Sequence, residues 1–144
     1  TIREMYEKIQ LPTRATSGSM GNDFRLPYAV YLEPGETEKI PTGIRVYIEE
    51  GWGLACYPRS GLGFKYRVQL DNTVGLIDSD YYYSDNEGHI YAKITNDSKT
   101  GKSLALEAGD SFMQGIFSPY GITYDDDVKT VRNGGFGSTD VKKG

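Results

Sequence analysis

The chain has 144 residues, 38% of them hydrophobic and 25% charged, with a formal net charge of −4; that is the size and balance of one globular domain with its own core. The acidic balance excludes broad nucleic-acid binding, which needs a basic face. A single Cys and a single His cannot form an internal disulfide or fill a tetrahedral zinc shell within one chain, so acid–base chemistry is expected from carboxylates. No apolar stretch is long enough to span a bilayer and Thr1 to Gln10 carries no visible secretory signal, so the expected setting is cytoplasmic, with no membrane.

Eighteen glycines and twelve tyrosines point to strands and turns rather than helices. Thr1 to Gln10 reads as a first strand, since Ile2, Met5, Tyr6 and Ile9 suggest no clean stripe. The loop from Ala15 to Asn22 leads through Asp23 into a strand over Phe24 to Leu26. Asp23 can contact a metal-bound water or hold an arginine. Further strands are expected at Ala29–Leu32, Thr37–Ile40, Ile44–Ile48, Leu54–Tyr57, Ile90–Ile94, Ser103–Leu106 and Ser111–Phe117. Turn residues such as Glu33-Pro34-Gly35-Glu36 and Ala108-Gly109-Asp110 separate them. Ser60 to Tyr66 reads as one or two helical turns, with Ser60 as a cap. Many short strands at short spacing predict an all-β sandwich, jelly roll or barrel.

Three segments carry chemistry. Pro58-Arg59-Ser60-Gly61 offers a cation, a hydroxyl and backbone N–H groups where a strand meets a helical turn, which suits a phosphate or simply a surface cap. Asn72-Thr73-Val74-Gly75-Leu76-Ile77-Asp78-Ser79-Asp80-Tyr81 is an apolar run that holds Asp78 on a rigid edge, beside an aromatic wall. A carboxylate so placed can act as general base toward a water. Arg132-Asn133-Gly134-Gly135-Phe136-Gly137-Ser138-Thr139 has small residues that let the backbone approach an anion, and a Phe that suits a nucleobase. By composition it reads as a mobile arm. Gln114 stands among apolar residues, so it is expected to be hydrogen-bonded or functional.

In order and spacing, Ala15 to Phe24, Pro58 to Gly61, Asn72 to Tyr81, Gly109 to Gln114 and Arg132 to Thr139 resemble the five motifs of the homotrimeric dUTP pyrophosphatases (dUTPases). The resemblance covers nearly the whole chain and extends to forms carried by phages and prophages of Gram-positive bacteria. It implies a jelly-roll-like dUTPase β-barrel over residues 1–131 and a flexible Gly-rich C-terminal arm over 132–144 that closes over a neighbour's site in a homotrimer. It implies hydrolysis of dUTP to dUMP and pyrophosphate with Mg²⁺. It gives Asp78 the attacking water at the α-phosphorus, and Tyr81 the deoxyribose, with no room for a 2′-hydroxyl. Asn72 and the backbone through Gly75 and Ile77 would read the uracil. Arg59, Ser60, Gly61 and Gln114 would hold phosphates. Arg132, Phe136, Gly137, Ser138 and Thr139 would form the closing arm, and Asp23 would act near the metal through water. Asp80 keeps a structural role.

The chain departs from the family at Ser111, where a basic residue is common, at Met20 and at Asp140. It also departs at Tyr83 to Glu87, which intervene before Gly88. Residues 82–87 offer a surface for a regulatory protein partner. The competing readings are an enzyme related to dCTP deaminase and a nucleotide-binding regulatory protein that needs no turnover.

Overall fold

The computed structural model describes residues 2–132, without the side chains of Ile2 and Met5. Its strands are β1 (Thr13–Arg14), β2 (Asn22–Arg25), β3 (Val30–Leu32), β4 (Thr37–Pro41), β5 (Trp52–Pro58), β6 (Val68–Leu70), β7 (Gly75–Ile77), β8 (Tyr91–Asn96), β9 (Leu104–Leu106) and β10 (Ser111–Pro119). Two short helices, α1 (Ile2–Lys8) and α2 (Ser60–Tyr66), and a 3-10 turn over Ser79–Tyr83 complete the described elements. The strands form a five-stranded sheet in the order β1-β2-β10-β5-β7, a three-stranded sheet β4-β8-β6 and a pair β3-β9. All pairings are antiparallel. The fold is the expected all-β, jelly-roll-like one. No described helix is long and apolar enough to cross a membrane.

The core lies between the sheets and is built largely from alternating strand residues, with Phe24, Ile40, Ile90, Ile94, Leu104 and Phe112 at or near zero exposure. Asn96 is the fully buried polar exception. Its amide donates to the carbonyls of Leu32 and Lys102 and accepts from the Ser98 N–H, so its burial is matched by hydrogen bonds.

One irregularity positions the site. Between Ser111 and Met113 the pairing of β10 with β2 shifts by a residue. The bulge buries Phe112 and Met113 in succession. It thereby turns the next side chain, Gln114, off the core face toward Asp23, its register partner on β2.

Two expectations need correction. Thr1 to Gln10 is not a strand: Ile2–Lys8 is helical. The apolar spacing Ile2, Met5, Tyr6, Ile9 is i, i+3, i+4, i+7, a helical face. An Arg3–Glu7 pair at 3.6 Å, Glu4 in the first turn and Lys8 in the last suit a helix. Ile44 to Ile48 buries its alternate residues Ile44 and Ile48 as expected but lies outside the strand ladders; it is held by the Ile90 N–H on the Ile44 carbonyl.

Candidate active site

The segment from β6 to β7, strands of different sheets, bends into a hairpin-like turn through a Thr73 N–H to Leu70 carbonyl bond of 2.8 Å, with Thr73 at φ 71°. A non-glycine residue held in the left-handed region marks a backbone that its surroundings over-determine. β7 lies on β5, with Gly75 opposite Cys56 and Ile77 opposite Leu54. A β-carbon at Gly75 would stand 3.3 Å from that of Cys56, so glycine lets the hairpin sit tight on the strand beneath. Cys56 is buried, and burial pushes its thiol up to about 12; it is an apolar floor, not a nucleophile.

This hairpin lines a cavity of about 480 Å³. Asn72, Gly75, Ile77, Asp78, Tyr81 and Arg132 all border it, as sequence led one to expect, together with Cys56, Leu70, Val74, Tyr91 and Met113, which sequence did not single out. Tyr81 is only 4% exposed, with its ring forming one wall. Its hydroxyl donates to the His89 carbonyl and accepts from the Asn86 amide at 2.9 Å. Burial raises its pKa, so the phenol stays protonated and able to donate.

Asp78 directly follows β7 and caps the start of the 3-10 turn. Its side chain is mostly exposed, at the cavity rim. Arg132 binds both carboxylates of the Asp-Ser-Asp run. Its Nη2 donates to Asp78 Oδ2 and its Nε to Asp80 Oδ1, the latter at 2.7 Å. Sequence reasoning set Asp80 aside and placed Arg132 in a mobile arm. The fork of one guanidinium across two carboxylates two residues apart joins them instead. The remaining arm residues, Phe136, Gly137, Ser138 and Thr139, lie outside the described residues, as does Asp140.

A second cluster gathers the other expected contacts. Arg59 donates from Nη1 to Asp23 Oδ1 at 2.7 Å, with the Asp23 side chain only 5% exposed. Of the two roles open to Asp23, holding an arginine is the one this contact fills. Gln114 donates to the Pro58 carbonyl at 3.2 Å and packs on Gly21. Ser60 and Gly61 begin α2, but Arg59 is the N-cap and its side chain makes no capping bond, so Ser60 is the first helical residue rather than the cap. The basic side chain missing at position 111 has a neighbour: Arg25 pairs with Ser111 in register and donates to the Gly109 carbonyl at 3.1 Å. Met20 is exposed.

The two clusters lie at opposite ends of β5. Asp78 falls level with Gly53 in the β5–β7 register, and Arg59 follows Pro58. Six residues of strand separate them, ~20 Å at 3.3 Å per residue. Among the described residues no three carboxylate, His or Cys side chains converge as a metal site.

The family model for dUTPase matches residues 7–140. A deoxyuridine 5'-triphosphate nucleotidohydrolase of Lactococcus lactis is 40% identical over 134 residues, covering 91% of this chain and 88% of that protein. Among solved structures, a dUTPase from Streptococcus mutans matches with TM-score 0.70 and 35% identity, over 81% of this chain and 90% of that one. The fold also matches a dUTPase from phage phi11 of Staphylococcus aureus, described with a structural Mg(II) ion, at TM-score 0.69 and 22% identity, over 86% of this chain and 92% of that one. The chain belongs to the dUTPase family.

Proposed function

We propose that this chain hydrolyses dUTP to dUMP and pyrophosphate, with Asp78 as general base. One observation carries the reading: a carboxylate stands at the rim of a cavity floored by a tight hairpin and walled by a buried tyrosine. The hairpin backbone from Asn72 to Ile77 reads the uracil edge and leaves no space for a 5-methyl. Tyr81 packs on the deoxyribose. Asp78 takes a proton from water as the water oxygen bonds to the α-phosphorus. The bond from that phosphorus to its bridging oxygen breaks and pyrophosphate leaves. Mg²⁺ on the triphosphate would neutralise its charge, with Asp23 acting on it indirectly, through water or through its hold on Arg59.

Arg59, Ser60, Gly61 and Gln114 hold phosphates, but not those of a nucleotide bound at their own chain's Asp78. The ~20 Å along β5 exceeds a triphosphate's reach. That distance supports a site shared between subunits of a homotrimer, with Asp78 from one chain and Arg59 from a neighbour. Trp52, Phe117, Tyr120, Ile122, Val128 and Val131 are all exposed in the single chain, apolar side chains that a neighbouring subunit would cover. The arm from Arg132 through Phe136 to Thr139 closes the site and excludes bulk water. A cytoplasmic setting and a phage-like source in a Gram-positive host remain proposals, the latter supported by the Lactococcus lactis relative and the phage structural neighbour.

The test is pyrophosphate release from dUTP beside dTTP, dCTP and UTP with Mg²⁺. The expected result is turnover of dUTP alone, lost in Asp78→Asn while the oligomer and nucleotide binding persist. Deaminated product from dCTP would replace this reading with a deaminase, and nucleotide binding without turnover would replace it with a regulatory protein.

A further inference from the structure

The segment after Tyr81 was expected to offer a partner surface. Tyr83, Asp85, Asn86 and Glu87 are all exposed, but the backbone between them is folded back hard against the site. Glu87 and Gly88 are both left-handed, at φ 59° and 73°. A β-carbon at Gly88 would stand 2.8 Å from the Tyr82 Cα, too close for any side chain. Ser84 is buried, and its hydroxyl donates to Asn86 Oδ1 at 2.6 Å while accepting from the Gly88 N–H at 3.1 Å. From outside, Arg45 donates to the Tyr82 carbonyl at 2.7 Å and lays its guanidinium 3.6 Å from the Tyr82 ring centre. With its carbonyl oxygen fixed by Ser84, the Asn86 side chain presents its NH₂ group to the Tyr81 hydroxyl at 2.9 Å.

We propose that Asn86 is a positioning residue that fixes Tyr81 and so sharpens discrimination between deoxyribose and ribose nucleotides. The proposal rests on Tyr81 being the sugar wall. A flat ring excludes a 2′-hydroxyl only if it cannot tilt away, and its distance from the sugar is set at the far end of the ring, by what its hydroxyl bonds. The His89 carbonyl takes the Tyr81 proton on one side. Asn86 supplies a donor to the same oxygen, so the two partners fix both the distance and the twist of the ring. The chain Gly88 N–H, Ser84 hydroxyl, Asn86 amide, Tyr81 hydroxyl makes the five residues after Tyr82 a brace for the site rather than an appendage to it.

The test compares kcat/KM for dUTP and UTP in the full-length protein for wild type, Asn86→Ala, Tyr81→Phe and the double variant, with thermal unfolding measured alongside. Asn86→Ala is expected to reduce the dUTP-over-UTP preference about five- to tenfold, the worth of one hydrogen bond, mainly through KM, and to have no further effect in the Tyr81→Phe background. Asn86→Asp keeps the size and the bond from Ser84 but loses the donor; it should match Asn86→Ala, and it gives the answer if Asn86→Ala does not fold. An unchanged preference in a folded Asn86→Asp, or equal effects with and without the Tyr81 hydroxyl, would overturn the proposal. A wild type that turns over dUTP and UTP alike would instead remove the sugar-wall reading beneath it.

Discussion

Asp23 and Asp78 each meet an arginine, yet burial gives the two pairs different meanings. Asp23 is closed off from solvent beneath Arg59, and removing Arg59 leaves a buried carboxylate without its cation. Arg59→Ala is therefore expected to cost about 3 kcal/mol of stability in addition to phosphate binding, as read by urea unfolding. Asp78 is mostly exposed beside Arg132. Asp78→Asn should shift the urea midpoint by less than about 0.5 kcal/mol in unfolding free energy while abolishing turnover. A large stability loss in Asp78→Asn would make its pair with Arg132 structural. Sequence offered both carboxylates as candidates; only their surroundings separate a buried one closed in by an arginine from an exposed one at the cavity rim.

At the scale of elements, the bulge in β10 and the turn from Tyr81 to His89 do most to shape the site. The turn carries a pH dependence. His89 Nε2 accepts the Gly43 N–H at 3.0 Å, which requires a neutral ring, and burial lowers the His89 pKa. In the unfolded chain the imidazole takes a proton near 6.5. Between that value and the lower folded one the unfolded state binds more protons, so stability rises with pH there and is lost as pH falls below about 6.5. The urea midpoint should drop across that window in wild type and drop less in His89→Gln. An identical slope in both would show that other groups carry it. Because the His89 carbonyl also accepts the Tyr81 hydroxyl, weakening this turn should raise KM for dUTP before it unfolds the protein.

For the whole molecule, the separation of Asp78 from Arg59 along β5 makes a sharp prediction. Asp78→Asn and Arg59→Gln should each be inactive when assembled alone, the Gln retaining a donor to Asp23. Co-folded at equal amounts they should recover about a quarter of wild-type activity, the share of random subunit interfaces that pair an intact Asp78 with an intact Arg59. Recovery of none, with mixed oligomers confirmed by mass, would place both residues in one chain's site.

The sequence by itself determined the all-β class, most strand positions and the three chemical segments, because period-two alternation, turn residues and motif order are local properties. It also contains the helical stripe of Ile2, Met5, Tyr6 and Ile9, too short a run to stand out against a strand. Only the tertiary structure decided what depends on contacts distant in sequence. It paired Asp23 with Arg59, joined Asp78 and Asp80 through Arg132, and bound Asn86 to the hydroxyl of Tyr81. It also set Asp78 and Arg59 at opposite ends of one strand. No local pattern encodes those distances, because they are fixed by register and by a single bulged residue.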